Sequence, residues 1–206
     1  MSRRDQFPIF KEKVYLNSCS QGALSYAVME AYSAYLRDWQ TEGSPWELWV
    51  AKLEAVRHSL ATLVNAHSDE IAVVPSVSDG VSNLASALDF SGARNKIVAT
   101  DFDFPTTAQI WHAQEARGAQ VVHVAAAGNI LPLERFANAI DERTLLVSIP
   151  HVCYRNGSKL DPKPIIDMAH AKGALVLLDA YQSLGTEPID VAGLQVDFLT
   201  GGMLKY

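Results

Sequence analysis

The feature that most constrains this chain is an alternation: short apolar runs take turns with longer stretches of helical periodicity. The runs are IAVV (71–74), KIVAT (96–100), QVVHV (120–124), LLVSI (145–149), ALVLL (174–178) and VDFL (196–199). Between them lie helical patterns from Ser78, from Pro105, around Leu131 to Ile140, and from Pro162 to Lys172. Runs this short, rich in Val, Ile and Leu and bounded by turn residues, read as strands buried on both faces. Strands alternating with helices predict an α/β fold with a mainly parallel sheet. Upstream, Leu24, Val28, Ala31, Tyr35 and Trp39 share one helical face. Trp46, Trp49, Val50, Leu53, Val56, Leu60 and Leu63 share another, in a helix opening at Ser44-Pro45.

The bulk numbers exclude several function classes. A net charge of −6 over 206 residues offers no basic stripe for a phosphate backbone, so nucleic acid is not an expected partner. No apolar run is long enough to span a bilayer, and no apolar segment follows the charges of MSRRDQFPIF, so no membrane partner is expected either. The two cysteines, Cys19 and Cys153, suit a reducing cytoplasm better than a disulfide framework.

In a parallel sheet, ligands gather beyond the carboxyl ends of the strands, and this chain places polar residues there. The run LVLL (175–178) leads straight into Asp179, and an unpaired buried carboxylate is costly, so a partner is expected. After IAVV comes SVSDG, where Ser78 is positioned to cap a helix whose first N–H groups, at Asp79 and Gly80, would suit a phosphate. Neither a Walker loop nor a dinucleotide fingerprint is present. After KIVAT, Phe104 precedes Pro105 and can staple the next helix or lie against a planar ligand. Near the end, Lys205 follows two glycines; a lysine in an apolar pocket can form a Schiff base with a carbonyl compound. An anion site, an aromatic plate, a strand-end carboxylate and such a lysine together suit pyridoxal 5'-phosphate (PLP), with Asp179 holding the pyridine nitrogen protonated.

At these residues the chain resembles the class V aminotransferase family of PLP enzymes, which includes cysteine desulfurases, selenocysteine lyases and kynureninases. The likeness runs from YLNSCSQGALS to GGMLKY and takes in LLDAYQ, DFPTT and HVCYRNG (151–157), the last two similar to kynureninase segments. It implies a three-layer α/β/α large domain of the PLP-dependent transferase type. It also implies Lys205 as the catalytic and cofactor-holding lysine, with Ser78, Asp79, Phe104, Asp179 and Gln182 as cofactor-binding residues. Asn17, Ser18, Cys19 and Tyr154 are expected near the substrate. The implied partners are a small amino-acid substrate and a second copy in a homodimer, with the Trp-rich helices in the contact. The implied chemistry is transamination or desulfurase- or lyase-type reaction. The alternatives are a kynureninase-like C–C hydrolase or an isomerase, a non-catalytic PLP fold, or a nucleotide-binding module.

The chain departs from the family pattern in places. Gly202 and Leu204 stand where desulfurases carry phosphate-binding Ser and His, and Thr107 replaces the Asp of the kynureninase segment. Asp79 would repel phosphate through its side chain, so only its N–H is expected to serve. Because the family continues well past its lysine, residues 1–206 read as an N-terminal segment plus most of the PLP-binding large domain. The C-terminal small domain is then missing, and the chain alone is expected to be inactive. His151 and Cys153 make a poor metal pair and are expected to be structural or to wall the site, with no metal implied. Asp197 is expected to be structural, and His112 and His123 have no assigned role.

Overall fold

The computed structural model describes residues 2–205. They divide into two compact units. The first holds the chain up to Thr62, His67–Val73 and the tail from Met203; the second holds Leu63–Ala66 and Val74–Gly202.

In the first unit lie α1 (Ile9–Glu12), α2 (Tyr26–Glu42) and all but the last turn-end of α3 (Trp46–Val64). The Ser25 hydroxyl accepts the Val28 N–H at 3.2 Å and starts α2. Gly43, at φ 73°, stops it where a side chain would strain the backbone. The two long helices meet where Tyr35 of α2 lies 5.7 Å from Trp49 of α3, and Trp46 of the same helix meets Trp49 edge-on at 5.5 Å. Much of the predicted apolar stripe is nevertheless exposed, including Val28, Trp39, Trp46, Val50 and Leu53.

The second unit contains α4 (Val77–Ala87), β1 (Lys96–Thr100), α5 (Pro105–Ala113), β2 (Gln120–Val124) and α6 (Leu133–Ala139). It continues through β3 (Thr144–Pro150), α7 (Lys163–Ala171), β4 (Leu175–Asp179), α8 (Val191–Leu194) and β5 (Phe198–Thr200). The strands form one sheet, in the order β2-β1-β3-β4-β5, and every pairing is parallel. Successive side chains on a strand point to opposite faces, and the packing follows that rule. Val98, Val147, Val176 and Leu178 pack with Phe136 of α6 and Ile165 and Ile166 of α7. Ile97, Leu146 and Leu177, one residue out of step, pack with Val81 and Ala85 of α4 and Trp111 of α5. The result is the three-layer α/β/α arrangement. All of β1 is buried, and its single charge, at Lys96, is satisfied by Asp141 at 2.9 Å and the Ala139 carbonyl.

The run IAVV is not a strand. Residues Ser68–Glu70 form a 3-10 turn, and Ile71 to Val74 pair with no strand. The reason lies in Arg57, whose guanidinium takes the Ser68 carbonyl at 2.8 Å and the Ile71 carbonyl at 2.9 Å. A cation thus occupies the first carbonyl of the run, at Ile71, and three of the four apolar side chains are left exposed.

Asp197 is structural, as expected. Its Oδ2 accepts the Val176 N–H at 2.8 Å and meets His170 Nε2 at 2.9 Å, tying β4 and α7 to the lead-in of β5. Replacing Asp197 with alanine leaves the Val176 N–H without its acceptor. The expected loss is about 1–3 kcal/mol, read as a lower urea midpoint at unchanged slope.

Candidate functional site

The strand order reverses between β1 and β3, because β1 leads to β2 on one side and β2 crosses back to β3 on the other. Such a switch point opens a crevice beyond the carboxyl ends of the strands. Three predicted site residues of the second unit lie on the segments that leave these ends: Phe104 after β1, Tyr154 after β3, and Gln182 after β4. Asp179 closes β4 itself.

Asp179 pairs in the ladder with Pro150 on one side and Thr200 on the other. Its Oδ1 accepts the Tyr181 N–H at 2.9 Å, which folds the chain into a tight turn directly after the strand. Gln182 sits half-buried in that turn. From the neighbouring strand, the His151 N–H donates to the Asp179 carbonyl at 2.8 Å. The His151 ring is buried, and its Nδ1 lies 2.9 Å from the Ser183 hydroxyl, so it fastens the far end of the same turn. Burial, and then the Lys159 ammonium, push the His151 pKa below the usual histidine range, so the ring is neutral at pH 7. Sequence reasoning gave His151 a structural or wall role, and the structure supports the first: it braces the turn that carries Gln182.

Phe104 occupies the N-cap position of α5 and keeps 44% of its surface exposed, so it is not the buried staple of an ordinary helix start. The Tyr154 ring meets it edge-on at 5.0 Å. An exposed aromatic braced from one side is suited to receive a planar ligand on its face.

Ser78 does not cap α4. The cap is Ser76, two residues earlier, whose hydroxyl accepts the Asp79 N–H at 3.1 Å and donates to Asp79 Oδ2 at 2.8 Å. Ser78 stands instead in the first helical turn. The expectation failed because a Ser-x-Ser-Asp stretch offers two hydroxyls, and only Ser76 sits three residues ahead of an acidic side chain that returns the bond. The Asp79 N–H expected to serve a phosphate is taken by this cap, and the carboxylate is turned back onto the Ser76 hydroxyl.

The residue that sequence reasoning missed is Asp103. It follows β1 and is 9% exposed, and its carboxyl accepts the Thr100 hydroxyl at 2.8 Å and the Thr100 N–H at 3.3 Å. Burial pushes its pKa up to about 7 against the pull of those two donors, and the charges of Asp179 and Asp101 push in the same direction. Its only signal in the sequence is the doubled acid of DFDF immediately after a buried strand. For a carboxyl with a raised pKa, the folded state holds a proton that the unfolded state has lost. The associated stability is therefore complete below about pH 4 and drains away as the pH rises through about 7. Between pH 5 and pH 8 the wild type is expected to lose about 3 kcal/mol that Asp103→Asn does not lose, read from urea midpoints at the two pH values.

In the first unit, Asn17, Ser18 and Cys19 form an exposed turn, with the Asn17 carbonyl accepting the Ser20 and Gln21 N–H groups at 2.9 and 3.0 Å. The tail docks on this turn: the Gly22 N–H donates to the Leu204 carbonyl at 2.7 Å, and Lys205 Nζ donates to the Cys19 carbonyl at 2.6 Å. The proposed lysine and three of the residues expected near the substrate are thus brought together. Among the described residues, no group of three or more His, Cys, Asp or Glu side chains forms a metal site, and no helix is long and apolar enough to cross a membrane.

Comparisons with known proteins place these features in a family. The family model described as aminotransferase class-V matches residues 14–205. An uncharacterized aminotransferase of Bacillus subtilis, YcbU, is 38% identical over 98% of this chain and 54% of its own length. A probable cysteine desulfurase of Methanothermobacter thermautotrophicus is 31% identical over 95% of this chain and 50% of its own length. Among solved structures, the cystine C–S lyase C-DES in complex with its product cysteine persulfide superposes with a TM-score of 0.86. It is 26% identical, over 97% of this chain and 55% of that one. The chain therefore spans about half the length of the curated relatives it matches.

Proposed function

Because the chain belongs to the class V aminotransferase family, we propose that it holds PLP at the switch point of its sheet and acts on a small amino-acid substrate. The reaction would be transamination or desulfurase- or lyase-type chemistry. The observation that carries this reading is Asp179, a half-buried carboxylate that ends a buried strand at the carboxyl edge of the sheet, with its Oδ1 held by the Tyr181 N–H. A carboxylate at the edge of a core favours a cationic ligand, and a protonated pyridine ring is one.

At the ring end the residues present suit such a group, while at the phosphate end the Asp79 and Gly80 N–H groups are already held by Ser76. Asp179 would hold the ring nitrogen, Phe104 would lie against the ring face, and Gln182 would reach the ring oxygen. The first turn of α4, with Ser78, would face the phosphate. Among the described residues the Thr200 hydroxyl, a buried polar atom, has no hydrogen-bond partner, and Thr200 pairs with Asp179 in the ladder. Lys205 follows Thr200 by five residues of chain, three of which are Gly201, Gly202 and Met203. When bound, PLP supplies a carbonyl that condenses with amines and a cationic ring that draws electrons from the substrate α-carbon. Lys205 would hold that group through its side-chain amine, and the same amine would take and return the substrate α-proton. Asn17, Ser18, Cys19 and Tyr154 would line the substrate side.

The test is to titrate the full-length protein with PLP, follow visible absorbance, reduce with borohydride and map the modified peptide. Modification at Lys205 supports the reading. A protein that takes up no PLP, or is modified at another lysine, refutes it. The similarity of DFPTT and HVCYRNG to kynureninase segments, with Tyr154 set against Phe104, favours a kynureninase-like C–C hydrolase as the second reading. Release of alanine from a kynurenine-type substrate would distinguish it.

The exposed stripe of α2 and α3 is the surface we assign to a second copy of the protein. Val28, Trp39, Trp46 and Val50 are more than two-fifths exposed, a concentration of apolar surface that marks an interface. Trp46→Asp is expected to convert a dimer to a monomer in light scattering; a wild-type monomer would rule the assignment out.

A further inference from the structure

Two consecutive glycines, Gly201 and Gly202, follow β5, and neither has room for a side chain. We propose that Tyr181 is a positioning residue for the lysine that holds PLP: its ring fills the space a side chain at position 202 would take and so fixes the chain three residues before Lys205. This inference rests on the reading of Lys205 as that lysine. It adds a residue with no role assigned above.

The geometry comes from the turn after β4. Asp179 pairs with Thr200 in the ladder, and the Ala180 N–H extends the pairing to the Thr200 carbonyl at 2.8 Å. The Ser183 and Leu184 N–H groups then both donate to the Ala180 carbonyl, at 3.0 and 2.8 Å, which closes one tight turn. Residues three apart on such a turn share a side, and here that side faces the glycines. Leu184, which is buried, lies against Gly201: a Cβ there would come within 2.5 Å of Leu184 Cδ2. The half-buried Tyr181 ring lies against Gly202. A Cβ at Gly202 would overlap Tyr181 Cε2 and lie 3.0 Å from Cζ and 3.1 Å from Cδ2, so the three atoms nearest to it all belong to that ring. Through its backbone the same residue donates to Asp179 Oδ1 at 2.9 Å. Tyr181 therefore touches the carboxylate assigned to the ring nitrogen with its N–H, and the segment leading to Lys205 with its side chain.

Glycine has more backbone freedom than any other residue, and two in succession would leave the chain before Lys205 loosely defined. An aromatic ring seated on Gly202 removes that freedom, and it can sit there only because position 202 has no side chain. A reacting amine displaced by about 1 Å loses on the order of 10²-fold in rate. The two contacts of Tyr181 are separable. Asp179 is held through the backbone N–H, which Tyr181→Ala keeps, whereas Gly202 is held through the ring, which Tyr181→Ala removes. Changes at this pair should therefore alter the reaction of Lys205 and leave the hold on the cofactor ring unchanged.

The experiment compares wild type, Gly202→Ala, Tyr181→Ala and the double variant, all as full-length protein. One readout is the rate at which added PLP becomes attached to Lys205, followed by visible absorbance and mapped after borohydride reduction. The other is affinity for pyridoxamine 5'-phosphate, which keeps the ring and the phosphate but has no carbonyl for a lysine to take. Gly202→Ala is expected to slow attachment by on the order of 10²-fold, and Tyr181→Ala by at least about 10-fold. Affinity for pyridoxamine 5'-phosphate is expected to stay within about twofold of wild type in both, the scatter of sites that do not couple. With the ring gone, a methyl group at 202 has no ring to strike, so the double variant should match Tyr181→Ala. That last comparison decides the matter even where Gly202→Ala alone does not fold. Attachment at the wild-type rate in either single variant overturns the proposal and leaves the cofactor reading intact. So does a double variant much slower than Tyr181→Ala, and so does a parallel loss of attachment and of pyridoxamine 5'-phosphate affinity. A wild type that attaches PLP at another lysine, or at none, removes the cofactor reading and the proposal with it.

Discussion

Lys205→Ala in the full-length protein is expected to abolish turnover, lowering kcat by at least about 10³-fold, because it removes both the amine that would bond to the cofactor and the base that would move the α-proton. The substitution also removes a hydrogen bond within the first unit, from Nζ to the Cys19 carbonyl, and a loosened tail is a competing explanation for lost activity. Lys205→Arg separates the two. A guanidinium keeps the positive charge and donors able to reach the Cys19 carbonyl, and it is not a nucleophile at any accessible pH. If the lysine acts through its chemistry, arginine must fail as completely as alanine while the urea midpoint stays near that of the wild type. Substantial activity in Lys205→Arg would mean that the residue matters only for docking the tail, and the proposed function would lose its nucleophile. Free PLP binding to Lys205→Ala, without a borohydride-stable product, is the accompanying spectroscopic expectation.

The strand–helix alternation was legible in the sequence from Lys96 to Thr200 because both periodicities are strong there and the central runs are buried; QVVHV, at the sheet edge, keeps its strand form although most of it is exposed, against the expectation of burial on both faces. KIVAT, with Lys96 at its head, still reads as a buried strand, since the lysine is the one charge in the run and finds Asp141. IAVV was misread because its composition is that of a strand while its fate depends on Arg57, a residue on a helix well upstream whose reach no local pattern records. The same limit explains the site. The placement of Asp179 at a strand end and of Phe104 at a helix start was legible because a charge ending an apolar run and an aromatic before a helix-opening proline are local anomalies. Ser78 was misassigned because two serines compete for one cap and only the returned bond from Asp79 decides between them. Asp103 was not legible: its burial and its hold on Thr100 are set by the fold around the end of β1, and neither is written in DFDF.

Asp179→Asn is the sharper test of the electron-withdrawing role. The side chain keeps its shape and an oxygen able to accept the Tyr181 N–H, so the turn carrying Gln182 should survive. The negative charge is lost, and with it the reason for the ring nitrogen to stay protonated. The expected outcome is a fall in kcat of about 10²–10³-fold, the usual size for removing one preorganised electrostatic partner of a developing charge, with KM changed far less. Asp179→Glu tests position instead of charge. A carboxylate one methylene longer, at the end of a strand whose preceding residues are buried, either misplaces the charge or disturbs the turn. Full activity in Asp179→Asn would refute the assignment of Asp179 to the ring nitrogen.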